Sequence, residues 1–256
     1  MTENIDDICK TTKATYPYIA RRILLKLSGE SLLGATSYGI DTETLQRIAC
    51  EIIELHNSGL EIAIVVGGGN IFRGVNGIEQ GIDRVTSDHM GMLATVMNAL
   101  ALQNAIESMK VESRVMSAVP MSSICEPYIR RRALHHLQKN RIVICAAGTG
   151  HPFFTTDSAA VLRASEMKCD ILLKGTKVDG VYSADPFKNP DAIHYKTLTY
   201  DQILREKLNV MDMSAVGLAR DNNLPLSVFS VTTPGSLINV LKGAGHSTLI
   251  HDSQEG

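Results

Sequence analysis

To catalyse phosphoryl transfer, a protein mainly has to position the reacting groups and neutralise their charge. Three residues of this sequence could do both. Lys26 lies near the end of the apolar segment RILLKLSG, and Lys174 has the equivalent place in CDILLKG. Two lysines that approach from different strands need an anion to relieve their repulsion, which a carboxylate or a phosphate supplies. Asp157 follows the letters FFTT at the start of a predicted helix. We therefore expect Asp157 to orient both lysines, although a plain helix N-cap is also compatible with its position.

Glycine-rich turns follow four of the predicted strands, in the letters KLSGE, VVGGGN, AAGTGHPFFTT and LLKGTKVDG. In an open parallel sheet, ligands bind where the strands reach their carboxyl ends. Backbone N–H groups of such turns bind anions, and a following helix N-terminus adds partial positive charge. Arg73 lies beside one turn, as Lys26 and Lys174 lie beside two others, so the combination predicts a phosphate site. Each turn alone is equally typical of close chain packing, and an arginine in a loop is often a solvated surface residue.

Two familiar nucleotide motifs are not matched. A Walker loop needs G-x-x-x-x-G-K-[ST], and the segment GESLLGAT at 29–36 has Ala35 where the lysine belongs. The dinucleotide fingerprint needs G-x-G-x-x-G, and the run that starts at Gly67 has Phe72 in place of the last glycine. The H-E-x-x-H motif does not occur either, so the sequence assigns no metal ligand from the protein.

Segments of strand type alternate with segments of helix type along most of the chain. This order favours an α/β fold with a parallel sheet covered by helices on both faces. Asp41 is the predicted N-cap of the first helix, residues 1–20 are predicted to be a flexible tail, and 21–256 a single domain. The predicted strands are 21–29, 61–68, 113–119, 141–148, 169–175 and 224–231. The predicted helices are 42–59, 87–109, 126–140, 157–167, 200–207, 212–221 and 235–243, and 174–192 is predicted to be loop.

The overall composition excludes several classes of protein. The 256 residues include 25 Lys and Arg and 27 Asp and Glu. The chain as a whole therefore attracts neither nucleic acid nor an anionic membrane. The first 20 residues lack the apolar core of a signal peptide, and the longest uncharged stretch, 89–106, is short for a membrane span. Five cysteines without a C-x-x-C pair indicate buried thiols in a reducing compartment. We therefore expect a soluble cytoplasmic protein.

Several longer motifs resemble those of one family. RILLKLSGE, VVGGGNIFRG, DHMGMLATVMNALA, GTGHPFFTTDSAA and LLKGTKVDGVYSADP together resemble the bacterial UMP kinases, which belong to the amino acid kinase superfamily. The resemblance runs from about Arg21 to Ile250. It implies a three-layer αβα sandwich with a mainly parallel central sheet, and transfer of the ATP γ-phosphoryl group to UMP, with Mg²⁺, to give UDP. It further implies a role in pyrimidine nucleotide biosynthesis, a homohexamer, and GTP and UTP as effectors.

The resemblance also implies roles for individual residues. Those expected to contact ATP are Lys26, Leu27, Ser28, Gly29, Gly69, Arg73, Thr176, Tyr182 and Asp185. Those expected to contact UMP are Gly68, Asp88, Thr149, Gly150, His151, Pro152, Phe153, Phe154, Thr155 and Thr156. Those expected to take part in the transfer are Lys26, Arg73, Asp157 and Lys174. The place of the allosteric GTP loop is taken by Gly34, Ala35, Thr36, Ser37, Tyr38 and Gly39.

The chain departs from the family pattern in four ways: the tail 1–20 is longer than expected, 121–140 match only loosely, and His151 and the GTP loop differ in sequence. His151 stands where the family usually has asparagine, which predicts a pH-sensitive affinity for UMP because histidine titrates near neutrality. The GTP loop keeps its end glycines, Gly34 and Gly39, but lacks an inner one.

Asp88 also fits a second interpretation, because an aspartate at the start of a predicted helix is commonly an N-cap.

Two alternatives to this function stay open. One is another kinase of the superfamily, which also phosphorylates amino acids, carbamate and isopentenyl phosphate. The other is a non-catalytic nucleotide-binding or storage protein on the same fold. The segment GTGHPFFTT favours a nucleotide acceptor, and the presence of Lys26, Asp157 and Lys174 disfavours a protein that only binds. A phosphate acceptor is already largely ionised at neutral pH, so such a kinase requires no general base.

Overall fold

The computed structural model describes residues 20–73 and 81–252. Apart from Ala20, the predicted tail 1–20 lies outside the described residues, and the single-domain organisation stays a prediction. The strands are β1 (Arg22–Leu27), β2 (Glu61–Val66), β3 (Ser113–Ser117), β4 (Glu126–Pro127), β5 (Ile142–Ala146), β6 (Ile171–Thr176), β7 (Val181–Tyr182), β8 (His194–Tyr195), β9 (Thr197–Leu198), β10 (Leu226–Ser230) and β11 (Ser247–Ile250). The helices are α1 (Thr42–Asn57), α2 (Arg84–Ser108), α3 (Arg130–Gln138), α4 (Thr156–Met167), α5 (Tyr200–Glu206), α6 (Met213–Asp221) and α7 (Ser236–Leu241).

Within residues 20–73 and 81–252, nine strands form one central sheet in the order β4-β3-β5-β2-β1-β6-β10-β11-β9. Every neighbouring pair is parallel except β10 and β11, which are antiparallel. The strands β1, β2, β5 and β6 therefore reach their carboxyl ends at the same edge of the sheet. The glycine-rich turns that follow these four strands meet at that edge, as the sequence predicts.

The strands are apolar on both faces, and each face is covered by its own layer of helices. In β1, Ile23 and Leu25 belong to the core beneath α1, α2 and α7. Leu24 belongs to the opposite core, beneath α3, α4, α5 and α6. Successive side chains of a strand point to opposite faces, so a run of apolar residues is what a doubly covered strand needs. The predicted three-layer αβα architecture is confirmed.

Of the three aspartates considered as helix N-caps, one has that role and two do not. Asp41 caps α1 as predicted, because its carboxylate accepts the Thr44 N–H at 2.8 Å. The helix α2 begins at Arg84, with Asp83 as its N-cap, so the N-cap interpretation of Asp88 is wrong. Thr155 caps α4 through its hydroxyl oxygen, so the N-cap interpretation of Asp157 is wrong too. Both aspartates lie inside their helices, with carboxylates free for tertiary partners.

Two predicted segments need correction. The helix expected at 126–140 begins only at Arg130, because its N-cap Ile129 has extended backbone angles. Glu126 and Pro127 instead form the edge strand β4, where a proline is tolerated. The segment 174–192 is not all loop, since β6 extends to Thr176 and β7 pairs with β8 in a small antiparallel hairpin. Within the described residues, no helix has the length and apolarity that crossing a membrane requires.

Candidate active site

Lys26 and Lys174 are neighbours across the sheet and share one carboxylate. They are register partners in the parallel pair β1 and β6, so both side chains lie on the face covered by α4. Asp157, in the first turn of α4, is 2.9 Å from the Lys26 Nζ through Oδ1 and 2.7 Å from the Lys174 Nζ through Oδ2. The predicted arrangement, with Asp157 between the two lysines, is present.

Burial and neighbouring charges shift the pKa values of Asp157 and Lys174 in this cluster. Burial alone would raise the pKa of Asp157, but Lys26 and Lys174 hold the pKa of the carboxyl below its usual value. Burial lowers the pKa of Lys174, and Lys26 acts in the same direction while Asp157 opposes both. The carboxylate of Asp212 also acts to raise the pKa of Lys174, so the two lysines have Asp157 in direct contact and Asp212 as a second anion nearby.

A second aspartate, which sequence reasoning missed, holds this cluster in place. Lys174 Nζ donates a hydrogen bond to the Val210 carbonyl at 2.5 Å. Two residues further on, Asp212 caps α6 by accepting the Ala215 N–H at 2.8 Å. Its carboxylate also accepts the hydroxyls of Thr155 and of Ser158, the latter at 3.0 Å. Asp212 therefore ties the N-terminus of α6 to that of α4. Its place at the start of the predicted helix 212–221 was the only signal in the sequence.

The three glycines after β2 have different roles. The Gly67 N–H donates to the Leu27 carbonyl at 2.8 Å, which joins the turns that follow β1 and β2. A Cβ at Gly68 would lie 2.9 Å from the Gly91 carbonyl oxygen and 3.0 Å from the Thr95 nitrogen in α2. A Cβ at Gly69 would meet no atom within 4 Å. Gly68 is thus required by chain packing, and only Gly69 leaves open space where a ligand could approach.

Arg73 is paired with an acidic residue of the neighbouring turn. Its guanidinium contacts the Glu30 carboxylate and donates to the Gly69 carbonyl at 3.3 Å. Lys177 lies 3.5 Å from the other carboxylate oxygen of Glu30. Glu30 therefore gathers two half-exposed cations beside the glycine turns, where a phosphate would compete with it for them.

A cavity of about 150 Å³ opens beside Gly69, between the turn after β2, helix α2 and the loop 147–156. It brings together seven of the predicted UMP or phosphate contacts: Gly68, Gly69, Asp88, Thr149, Phe154, Thr155 and Thr156. Sequence reasoning missed six further lining residues: Phe72, Ser87, Gly91, Met92, Thr95 and Gly148. Four predicted contacts lie in the same loop but do not line the cavity: Gly150, His151, Pro152 and Phe153.

Asp88 fixes the rim of this cavity. Its Oδ2 accepts the backbone N–H of Phe153 at 2.8 Å and the Arg84 Nε–H at 2.8 Å. Phe153 has a φ of +72°, which is unusual for a residue with a side chain, and its ring is 66% exposed. The Arg84 guanidinium lies 5.6 Å from the centre of that ring. The Asp88 carboxylate thus orders the loop that carries the exposed aromatic residues.

The residues predicted to contact the ATP phosphates lie beside the cluster of Lys26, Lys174 and Asp157. Those predicted to contact the ATP nucleoside lie at the end of β6, in β7 and in the turn after β7. Leu27, Ser28 and Gly29 follow Lys26 at the end of β1, and Thr176 ends β6. Tyr182 lies in β7 and donates its hydroxyl to Asp179 at 2.7 Å, which raises the pKa of the phenol. Asp185 accepts the Phe187 N–H at 3.0 Å in the turn after β7.

The segment Gly34–Gly39 forms a tight, mostly exposed turn before α1. Gly34 and Gly39 both have positive φ, +54° and +86°, which explains the two glycines. The turn is tied to the active-site edge, because the Gly39 N–H donates to the Asn70 carbonyl at 3.0 Å.

As for metals, no group of three acidic, histidine or cysteine side chains in residues 20–73 and 81–252 could hold an ion unaided.

Comparisons with known proteins agree with this architecture. The model of the amino acid kinase family matches residues 21–230. A uridylate kinase of Cereibacter sphaeroides is 55% identical over 240 residues, which cover 94% of this chain and 96% of that protein. A uridylate kinase of Roseobacter denitrificans is 55% identical over 232 residues, covering 91% and 96%.

Solved structures give the same result. The crystal structure of UMP kinase from Bacillus anthracis matches with a TM-score of 0.88 and 44% identity, over 91% of this chain and 97% of that one. UMP kinase from Ureaplasma parvum matches with a TM-score of 0.87 and 37% identity, over 91% and 99%. The chain belongs to the amino acid kinase family, and within that family to the uridylate kinases.

Proposed function

We propose that this protein transfers the γ-phosphoryl group of ATP to UMP and releases UDP and ADP. The observation that carries the proposal is the buried cluster of Lys26, Lys174 and Asp157 at the edge where the glycine turns meet. The cavity lined by Asp88 and Thr149 opens at the same edge, and α4 joins the two, because Thr155 and Thr156 line the cavity while Asp157 follows them. A donor and an acceptor phosphate can therefore approach each other beside the two lysines.

The proposed roles follow from charge and position. In phosphoryl transfer, charge is spread over the equatorial oxygens of the transferred group, so fixed cations stabilise it directly. Lys26 and Lys174 supply such charge, and Asp157 holds both ammonium groups in place. Arg73 would bind phosphate once it leaves Glu30, and the open side of Gly69 would let the backbone approach the transferred group. The phosphate of UMP needs no general base because it is already ionised.

The binding residues form two groups. For ATP, we propose the turn Lys26–Gly29, the residues Gly69 and Arg73, and the nucleoside contacts Thr176, Tyr182 and Asp185. For UMP, we propose Gly68, Asp88 and the segment Thr149–Thr156. Four residues of that segment line the cavity directly, and Phe153 is positioned by Asp88.

Magnesium fits this site as part of the ATP complex. Mg²⁺ commonly takes its ligands from substrate phosphates and water, with at most one or two carboxylates from the protein. Asp157 is already shared by two lysines, so the phosphates are the better ligands here. When bound, the ion would neutralise part of the phosphate charge beside Lys26 and Lys174.

Assembly, regulation and location complete the proposal. Three apolar residues of α2, Met90, Leu93 and Met97, share one face of the helix and are 37%, 53% and 55% exposed. Exposed apolar stripes of this kind are typical of subunit contacts, which supports a homo-oligomer and, with the family, a homohexamer. GTP acting near Gly34–Gly39, inhibition by UTP, and a cytoplasmic location that gives access to ATP are proposed from the sequence.

The proposal is tested by an acceptor panel. Purified protein with ATP and Mg²⁺ is offered UMP, CMP, dUMP or glutamate, with and without GTP and UTP, and ADP release is followed by a coupled assay. We expect turnover with UMP well above that with the other acceptors. Turnover with glutamate but not with UMP would show another kinase of the superfamily. ATP binding without turnover of any acceptor would show a binding protein.

A further inference from the structure

Two buried asparagines face each other behind the glycine turn. Asn70 is 3% exposed and Asn98, in the middle of α2, is 0% exposed. The Asn70 amide donates to Asn98 Oδ1 at 3.0 Å, and the Asn98 amide donates to Asn70 Oδ1 at 2.7 Å. The two residues of this reciprocal amide pair are 28 positions apart in the chain. The pair uses one N–H donor of each side chain.

The second donor of each amide reaches a backbone carbonyl near the active site. Asn70 Nδ2 donates to the Gly39 carbonyl at 2.8 Å. Asn98 Nδ2 donates to the Gly67 carbonyl, the first of the three glycines, at 2.7 Å. Each amide has two N–H donors, so every donor of the pair is used. A fully satisfied buried network of this kind is rigid and fixes the groups that it contacts.

The pair also lies against the turn that follows Lys26. A Cβ at Gly29 would lie 2.5 Å from Asn70 Oδ1 and 2.5 Å from the Gly69 nitrogen. Asn70 therefore touches the proposed donor-side turn at Gly29 and is itself part of the turn that carries Gly69. Asn98 extends the contact to α2, the helix that carries Asp88 on the acceptor side. The amide pair is thus where the two substrate sites are joined.

We infer that Asn70 and Asn98 are positioning residues for phosphoryl transfer: their reciprocal amide pair holds the Gly67–Gly69 turn in register with the Gly29 turn and with α2. The inference rests on the proposed function. Neither side chain lines the cavity, so both act through the backbone that they hold. Misplacing reacting groups by about 1 Å can cost about 100-fold in rate, which gives the pair a large effect at a distance.

The test compares three variants with one control. Asn98→Ala, Asn70→Ala and the double variant remove the pair, and alanine in place of Asn98 improves helix propensity, so α2 should form. Leu102→Ala is the control, because Leu102 lies one turn further along α2, is 0% exposed, and contributes packing alone. For each protein, kcat and both KM values are measured below its thermal midpoint. Hydrogen exchange of residues 66–72 is followed on the same samples without substrate.

We expect kcat to fall about 10- to 100-fold in each single variant, with both KM values changed less than about threefold, as for an interaction that matters mainly in the transition state. The double variant should lose no more than the worse single variant, because the two residues act as one unit. Leu102→Ala should lose stability and keep its kcat. Exchange at 66–72 should be about tenfold faster in Asn98→Ala than in Leu102→Ala, as expected for a lost hydrogen bond.

The proposed function and the inference about the Asn70–Asn98 pair can be contradicted separately. A wild type that does not phosphorylate UMP contradicts the proposed function, and the exchange data then still decide whether the pair holds the turn. Equal exchange at 66–72 in Asn98→Ala and Leu102→Ala overturns the inference. So does an unchanged kcat in both single variants of a wild type that is active with UMP.

Discussion

Lys26 and Lys174 are register partners on adjacent parallel strands, and one carboxylate, that of Asp157, lies within 3 Å of both ammonium groups. Because β1 and β6 are neighbours, the two lysines lie on the same face of the sheet, and α4 brings Asp157 over them. Both lysine side chains are therefore held in position before any substrate binds. Such fixed charges need little reorganisation during the reaction, which is how preorganised sites accelerate it.

The substitution Asp157→Asn tests what the carboxylate contributes to stability. It removes the carboxylate that contacts both largely buried lysines, so we expect it to lower the free energy of unfolding by about 3 to 5 kcal/mol at neutral pH. Urea unfolding, followed by circular dichroism, measures the loss. The control is Asp221→Asn, in an exposed ion pair with Arg220, which should leave the free energy of unfolding almost unchanged.

The pH dependence of this effect has a definite sign. The pKa of Asp157 is lowered in the folded protein, so its stabilisation is fully present above the unfolded value of about 3.9. It is lost as the pH falls through the lower folded pKa. The difference in stability between wild type and Asp157→Asn should therefore shrink below about pH 4. A difference that stays constant through that range would mean that the carboxylate is not held ionised by the lysines.

The two glycines Gly68 and Gly69 form a matched pair for separating packing from catalysis. In Gly68→Ala the new Cβ meets the backbone of α2 at 2.9 Å, so we expect a lower thermal midpoint. In Gly69→Ala the Cβ has open space, so the midpoint should stay near that of wild type while kcat falls at least about tenfold, because the side chain blocks approach of the transferred group. Normal kinetics in Gly69→Ala would contradict the proposed approach of the transferred group to the backbone at Gly69.

Glu30 and Arg73 should act on nucleotide binding in opposite directions. Glu30→Gln frees Arg73 and Lys177 to bind phosphate, so we expect the KM for ATP to fall. The fall should be only about two- to fivefold, because exposed ion pairs of this kind contribute little. Arg73→Gln should raise the KM for ATP. Both are measured at low ionic strength, where exposed charges are least screened. An increase of KM in Glu30→Gln would instead show that the carboxylate organises the site.

The sequence predicted the parts of this site that depend on local pattern. Apolar runs with glycine at their ends gave β1, β2, β5 and β6, and parallel connection then brought Lys26 and Lys174 to one edge. Long-range partners left no local signal, which is why the Asn70–Asn98 pair and the contacts of Asp212 were missed. The sequence leaves Asp157 and Asp88 open to an N-cap interpretation, whereas in the structure Thr155 and Asp83 cap those helices.

Short elements were harder to predict than long ones. The strands β7 and β8 have two residues each, which is too few for a periodic pattern, and their pairing depends on contacts across the hairpin. Pro127 disfavours helical angles only at Glu126, so the start of α3 at Arg130, after the N-cap Ile129, could not be placed from the proline alone. The role of each glycine after β2 depended on what lies opposite its Cα, which sequence does not contain.

The most direct test of the account is the rate of UDP formation from ATP and UMP in Lys26→Met and Lys174→Met. Removing one charge that stabilises a transition state costs about 100- to 1,000-fold in kcat, and we expect a loss of that size in each variant. Lys139→Met, at an exposed position after α3, is the control and should match wild type. UDP formation at the wild-type rate in both Lys26→Met and Lys174→Met would contradict the account.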